Sequence, residues 1–421
     1  MFCGNDAATT RHDDGRQGIT YFAELRANWR PLLAATIGLG SGMSLAGIVI
    51  STMAPSLISG NGWSKADFAM VGTLGLFSSL VLPFVGRLAD VLGVRWTALI
   101  GQIFLPLTYL AYSQMDGSLG VYIGIFVAQS MICMTTTATV YARLAVQYVI
   151  KARGMALAIV ASGPALFGLV VGPLLNRLVE AEGWRSGYQA LAIFAVISGI
   201  VTFLLIPSTP KDAEASTKPK RTAREDYPAI FRNSAFWILA VAMLLCNLPQ
   251  TILQAQLKML MLENGVDGLA VGMMLTASSL GMLSGRLLTG FAIDRFNPYW
   301  VGFLTMGLPS MGLFLLASSM DGAALLWTAV YFIGFTFGAE GDVVAYLVAR
   351  RFGVEIYSSI MGLMTAFMSA STALGATLLS VTLAQTGNFN LFLVITGFSV
   401  LAGATLLLVL GRGEQVATTT P

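Results

Sequence analysis

Charged side chains are scarce in this chain: Asp, Glu, Lys and Arg make up 11% of its 421 residues, less than half the share a soluble globular protein carries. A soluble enzyme is excluded on that ground. Histidine is limited to His12, which leaves none for proton transfer or metal ligation in the apolar segments. Cys3, Cys133 and Cys246 are odd in number and scattered, so they build neither a disulfide framework nor a zinc spacing. No phosphate loop, nucleophile triad or metal motif occurs, so no cofactor and no enzymatic chemistry are expected. The net charge of +3 offers no basic surface for nucleic acid. The first 30 residues hold no apolar core ahead of a small-residue cleavage site, so the first helix is expected to stay.

What the chain has in quantity is apolar length: 56% hydrophobic residues and a mean hydropathy of +0.75. The apolar runs are far longer than the roughly ten alternating residues of a β-barrel strand. They predict twelve membrane helices: Pro31–Ile58, Phe68–Leu88, Trp96–Ser113, Val121–Ala145, Met155–Leu175 and Tyr188–Ile206, then Phe236–Leu257, Leu269–Ile293, Trp300–Ala317, Leu325–Ala349, Ile360–Leu383 and Phe389–Leu410. The expected organisation is a tail (1–30), a six-helix bundle (31–206), a polar linker (207–234), a second six-helix bundle (235–411) and a short tail (412–421). Lys and Arg in alternate loops and tails number eighteen on one side against four on the other. The positive-inside rule then puts both termini and the linker in the cytoplasm of a multi-pass protein of the inner or plasma membrane.

The halves repeat each other. Gly86 and Asp90 after the second span correspond to Gly290 and Asp294 after the eighth, both 204 residues apart, and Tyr148 corresponds to Phe352 at the same shift. Parallel six-helix repeats are the build of one large class of transporters.

The run GRLADVLGVRW from Gly86 to Trp96 resembles the signature of the major facilitator superfamily, G-x-x-x-D-(R/K)-x-G-x-(R/K)-(R/K). Gly86, Asp90, Gly93 and Arg95 match, whereas Val91 and Trp96 replace basic residues. The second copy keeps Gly290, Asp294 and Arg295. A further run, YVIKARGMALAIVASG, resembles the pattern that leads into helix five of monocarboxylate transporters, with Tyr148, Lys151, Arg153, Ala156, Ala158 and Gly163 in register. Gly62-Trp63-Ser64 resembles an element common to these and to oxalate–formate antiporters, while the acidic helix-one motif is replaced by glycine-rich Gly38 to Gly42. The resemblance implies two bundles about a central cavity, alternating access, and gating by Asp90, Arg95, Asp294 and Arg295.

Ionisable groups inside apolar spans are costly and therefore candidates for function. Four stand out: Arg143, Arg286, Glu340 and Asp342. Arg286 lies eight residues before Asp294, roughly 12 Å up the helix. In the resembled transporters an arginine four residues before the loop glycine pairs with the substrate carboxylate, and Arg286 has that spacing to Gly290. Guanidinium offers the planar two-pronged donor a carboxylate needs, though Arg286 could instead belong to the gate. Thr136, Thr139, Arg143 and Gln147 form one polar stripe, and shifting Thr136 by 204 gives Glu340. Glu340 is therefore expected on the cavity side and Asp342 at a helix contact, either being able to carry a proton. Asn247, Gln250, Thr251, Gln254 and Lys258 form another polar face beside Pro249, able either to line a water-filled cavity and bind a solute or to bond helix to helix. Arg286, Arg143, Asn247, Gln250 and Gln254 are thus read as substrate-binding.

The expected protein is an all-α monomer in the lipid bilayer that moves a small organic anion, a monocarboxylate-like solute, together with a proton. The alternatives are an anion exchanger, a proton-driven efflux pump for amphiphilic compounds and, last, a membrane receptor.

Overall fold

The computed structural model describes residues 20–63, 79–208, 223–252, 257, 260, 268–318 and 322–419, and every regular element among them is helical. Helices satisfy their own backbone polar groups, as a segment in hydrocarbon must. The first half runs α1 (Tyr21–Ala27), α2 (Trp29–Gly40), α3 (Ala46–Asn61), α4 (Leu82–Leu92), α5 (Val94–Gln114), α6 (Leu119–Ile132), α7 (Ala138–Tyr148), α8 (Arg153–Ala161), α9 (Gly163–Glu182) and α10 (Trp184–Leu205). The second runs α11 (Ala223–Arg232), α12 (Ser234–Asn247), α13 (Gly268–Arg295), α14 (Pro298–Ala317), α15 (Ala323–Phe352), α16 (Tyr357–Thr386) and α17 (Asn390–Thr419). Among the described residues, seven helical stretches are long and apolar enough to cross a membrane, or nine if each of two bent pairs counts as one. The expected spans Phe68–Leu88 and Phe236–Leu257 lie partly outside the described residues, as do Gln254 and Lys258.

Several spans expected to be continuous are broken, each for a local reason. The first bends by 42° between α2 and α3, where extended Gly42 interrupts the ladder and the Met43 N–H turns to Thr136 Oγ1 at 2.9 Å. The fourth divides at a 3-10 turn, Cys133–Thr136, into α6 and α7. The fifth divides at Ser162 ahead of Gly163-Pro164, where proline has no N–H to continue the α8 ladder. Helix α12 ends at Asn247, two residues before Pro249. Two short helices lie where the sequence reads as tail and linker: α1 within residues 1–30 and α11 within 207–234.

The core shows where the halves join. The largest cluster of buried apolar side chains draws on both, with Val85, Ala145 and Leu157 from the first and Ile293, Val348 and Ile360 from the second. It lies at the end bearing Asp90 and Asp294. Two further clusters each stay within one half, one around Tyr109, Tyr122 and Tyr188, the other around Leu313, Ile333 and Phe392. Trp96 and Trp300, 204 residues apart, are 59% and 55% exposed at the starts of α5 and α14, as amphipathic rings at a membrane–water boundary are.

Within the second half, α13 and α15 cross through paired glycines. A Cβ on Gly281 or Gly285 would overlap the backbone of Tyr331 or Phe335, and one on Gly334 or Gly338 that of Ser278 or Met282. Small residues spaced by four on both helices let the backbones touch. Gly285→Ala should force the helices apart at a cost of about 1–3 kcal/mol, read as a lower thermal unfolding midpoint in detergent. An unchanged midpoint would mean that the crossing can open without penalty.

Candidate functional site

Asp90 near the end of α4 and Asp294 near the end of α13 each cap a helix of the opposite half. Asp90 accepts the N–H groups of Ser358 and Ser359 at 3.1 and 2.7 Å, at the start of α16. Asp294 accepts those of Gly154 and Met155 at 2.7 and 3.0 Å, at the start of α8. First-turn N–H groups have no acceptor within their own helix and form its positive end, so a carboxylate is the complementary partner. Both donors obey the same shift of 204 that relates the two aspartates. The signature glycines explain the approach: a Cβ on Gly86 would overlap the Ser358 carbonyl, and one on Gly290 would press on Gly154 and Ala158.

Arg143, read from the sequence as substrate-binding, lies at the junction between the halves. Its guanidinium pairs with Asp90 and reaches Ser358 Oγ at 3.4 Å, so it belongs to the α4–α16 junction. Arg95 stays within its own half, stacked 4.4 Å over the Phe203 ring of α10. Arg295 lies 3.9 Å over Phe291 and 5.4 Å over Tyr21, the latter across the junction.

Sequence reasoning missed four residues here, all on the two short helices. From α1, Tyr21 donates its hydroxyl to Asp294 at 3.0 Å. Burial and the neighbouring Asp294 carboxylate hold the Tyr21 phenol above its ordinary range, so it remains a donor. Glu24 accepts three N–H groups just ahead of α8, from Ile150, Lys151 and Ala152 at 2.9, 2.8 and 3.0 Å. From α11, buried Asp226 pairs with Arg87, and Tyr227 donates to the Pro83 carbonyl at 3.2 Å.

Further along α13, Arg286 sits where three helices meet. Its Nη1 donates to the Ala161 carbonyl at the end of α8, in the opposite half, and its Nε to the Gly338 carbonyl at 3.4 Å. The Asp342 carboxylate of α15 stands 3.8 Å from Nε, a charge contact rather than a hydrogen bond. The guanidinium side chain is 20% exposed, and among the described residues its Nη2 has no hydrogen-bond partner. Asp342 and Glu340 are both buried, two positions apart on α15. They face different neighbours: Glu340 turns to the segment just past the end of α12, where Gln250 donates to it at 3.5 Å. Gln250 in turn accepts from Thr372 of α16 at 2.9 Å. Asn247 donates to the Met243 carbonyl of its own helix. One oxygen each of Asn247, Glu340 and Asp342 is buried without a hydrogen bond among the described residues.

The arrangement is a charge pair beside a buried amide–carboxylate cluster, with a closed junction at one end. The sequence profile of the Major Facilitator Superfamily matches residues 32–339 and 239–420. An MFS-type transporter of Gibberella moniliformis is 23% identical over 83% of this chain and 83% of its own length. Human monocarboxylate transporter 11 is 23% identical over 83% of this chain and 76% of its own. Among solved structures, the E. coli fucose:proton symporter superimposes with a TM-score of 0.69 at 12% identity, covering 90% of this chain and 98% of the symporter chain. With the profile spanning nearly all of it, the chain belongs to the major facilitator superfamily and is a multi-pass membrane transporter, not an enzyme.

Proposed function

We propose that this transporter carries a small organic carboxylate together with a proton, with Arg286 as the anion anchor and Asp342 as its resident counter-ion. The observation that carries the reading is the half-used guanidinium: Nε and Nη1 are engaged, while Nη2 has no protein partner among the described residues and the side chain keeps some exposure. A carboxylate arriving there gains a two-pronged, charge-assisted contact. It must displace ionised Asp342, which stands at 3.8 Å. Protonating Asp342 removes that competitor, so proton and anion favour each other's binding. Asn247 at the end of α12 and Gln250 just past it supply polar contacts for the rest of the solute. The proposed orientation keeps Asp90, Asp294 and the two termini at the cytoplasmic face, where the signature aspartates act as gate latches. The likeness to a monocarboxylate transporter supports the substrate class, and the positive-inside count supports the orientation.

The contact between Arg286 and Asp342 also favours a second reading, efflux of amphiphilic compounds, in which that arginine stays tied to its carboxylate. Thermal unfolding of the purified protein with mono-, di- and aromatic carboxylates, at an acidic and a neutral pH, separates the two. Carboxylates should raise the midpoint, more strongly at acidic pH. A rise with neutral amphiphiles and none with any carboxylate would overturn the first reading.

A further inference from the structure

We infer that α1 and α11 are straps that set when the junction between the halves opens, with Tyr21, Glu24 and Asp226 as gating residues additional to the signature motif. The inference does not depend on which solute is carried.

Two carboxylates share the start of α8. Glu24 holds the N–H groups of residues 150, 151 and 152, and Asp294 those of 154 and 155. The first comes from α1, in the same half as α8, and the second from the opposite half. Tyr21, one turn before Glu24, ties the two by donating to Asp294 at 3.0 Å, and the Arg295 guanidinium lies over its ring. Opening this junction must separate Asp294 from α8. The Tyr21 bond and the Arg295 contact break with it, while Glu24 stays on its three N–H groups. Helix α1 therefore rides with the first half and is held in place to engage again.

The other junction is strapped from the other side. Helix α11 leads into the second half, yet Asp226 pairs with Arg87 and Tyr227 bonds to the Pro83 carbonyl, both on α4 of the first half. Arg87 corresponds under the shift of 204 to Phe291, whose ring lies 6.4 Å from that of Tyr21. Each strap thus docks on the same position of the pseudo-equivalent helix, beside the aspartate that caps the opposing half. A buried charge whose partner lies in the other half adds to the cost of opening, because separation leaves Asp226 without its cation.

The test is hydrogen–deuterium exchange of the full chain in lipid nanodiscs, read on peptides that cover the capped amides, residues 153–156 and 357–360. Asp294→Asn serves as the positive control. Tyr21→Phe, Glu24→Gln and Asp226→Asn should each accelerate exchange at both peptides, by about tenfold for the loss of one charge-assisted contact. The peptides of the α13–α15 crossing should stay at wild-type values in all three, and in Tyr21→Phe the thermal unfolding midpoint as well. If the straps are merely structural decoration, the gain stays at the residues each one touches. Acceleration confined to one junction, or none in Tyr21→Phe while Asp294→Asn accelerates, overturns the inference. Should Glu24→Gln or Asp226→Asn fail to fold, Tyr21→Phe, which removes a single oxygen, still decides it.

Discussion

Arg286→Lys should lose most of the substrate affinity of this transporter while leaving it folded in the membrane. An ammonium keeps the positive charge but is a point donor on a flexible stem, and it cannot present two parallel N–H groups to a carboxylate. At Arg286 the loss is compounded, because the guanidinium also bridges Ala161 and Gly338. An ammonium carries its three N–H groups on one atom, whereas the two carbonyls are served from separate nitrogens of the guanidinium. The expected penalty is that of a charge-assisted hydrogen bond, about 1.5–3 kcal/mol, or roughly a ten- to 150-fold weaker half-saturation in counterflow of the best carboxylate found by thermal shift. Arg286→Gln should be worse for folding as well, since it strands Asp342 as a buried carboxylate without its cation. Wild-type half-saturation in Arg286→Lys would assign the residue to the junction alone.

The second large effect belongs to Asp342. Asparagine cannot ionise, so in Asp342→Asn the competitor for Arg286 is permanently neutral. Uphill uptake driven by an inward proton gradient should be abolished, while exchange of labelled for unlabelled substrate, which needs no net proton movement, should persist. Half-saturation in exchange should also stop falling as the pH is lowered, because the wild-type fall reflects protonation of this side chain. Glu340→Gln is the comparison. It keeps an amide oxygen for the Gln250 N–H and leaves the charge pair untouched, so proton-driven uptake should be retained at a reduced rate. Coupling lost in Glu340→Gln but kept in Asp342→Asn would reverse the assignment, and coupling kept in both would remove α15 carboxylates from proton transfer altogether.

The shift of 204 found in the sequence reaches further than the two aspartates that revealed it. It also relates the backbone donors at Gly154 and Ser358, and at Met155 and Ser359, because a helix start and the aspartate that caps it are duplicated together. The same shift gives no basis for choosing between Glu340 and Asp342. It maps Asp342 to Ala138, but α7 only begins there, after the 3-10 turn of Cys133–Thr136, whereas α15 runs unbroken from Ala323 to Phe352. A helical wheel does not carry across a break, so side-chain direction is lost even where position is kept. The stripe from Thr136 to Gln147 has a related weakness. Periodicity gives a face but not a depth, and Arg143, seven residues beyond Thr136, lies far enough along to meet Asp90. Tyr21, Glu24, Asp226 and Tyr227 left no trace in hydropathy. Helices of seven and ten residues in polar surroundings are far shorter than a membrane span, and their partners lie in distant parts of the chain.

The glycine crossing of α13 and α15 makes the second half a rigid frame around its charges. Arg286 follows Gly285 directly, and Asp342 lies one turn beyond Gly338, so backbone contact fixes the interval between the two backbone positions from which the charged side chains reach. Whatever rocking carries a solute across the bilayer, that interval should be the same at its start and its finish. The Ala161 carbonyl, presented by the other half, is the backbone partner of Arg286 that should change between the two. Thermodynamic work in the cycle is then done between halves rather than within one. A probe pair on α13 and α15 should report a constant distance throughout turnover, against which motion of α8 can be measured.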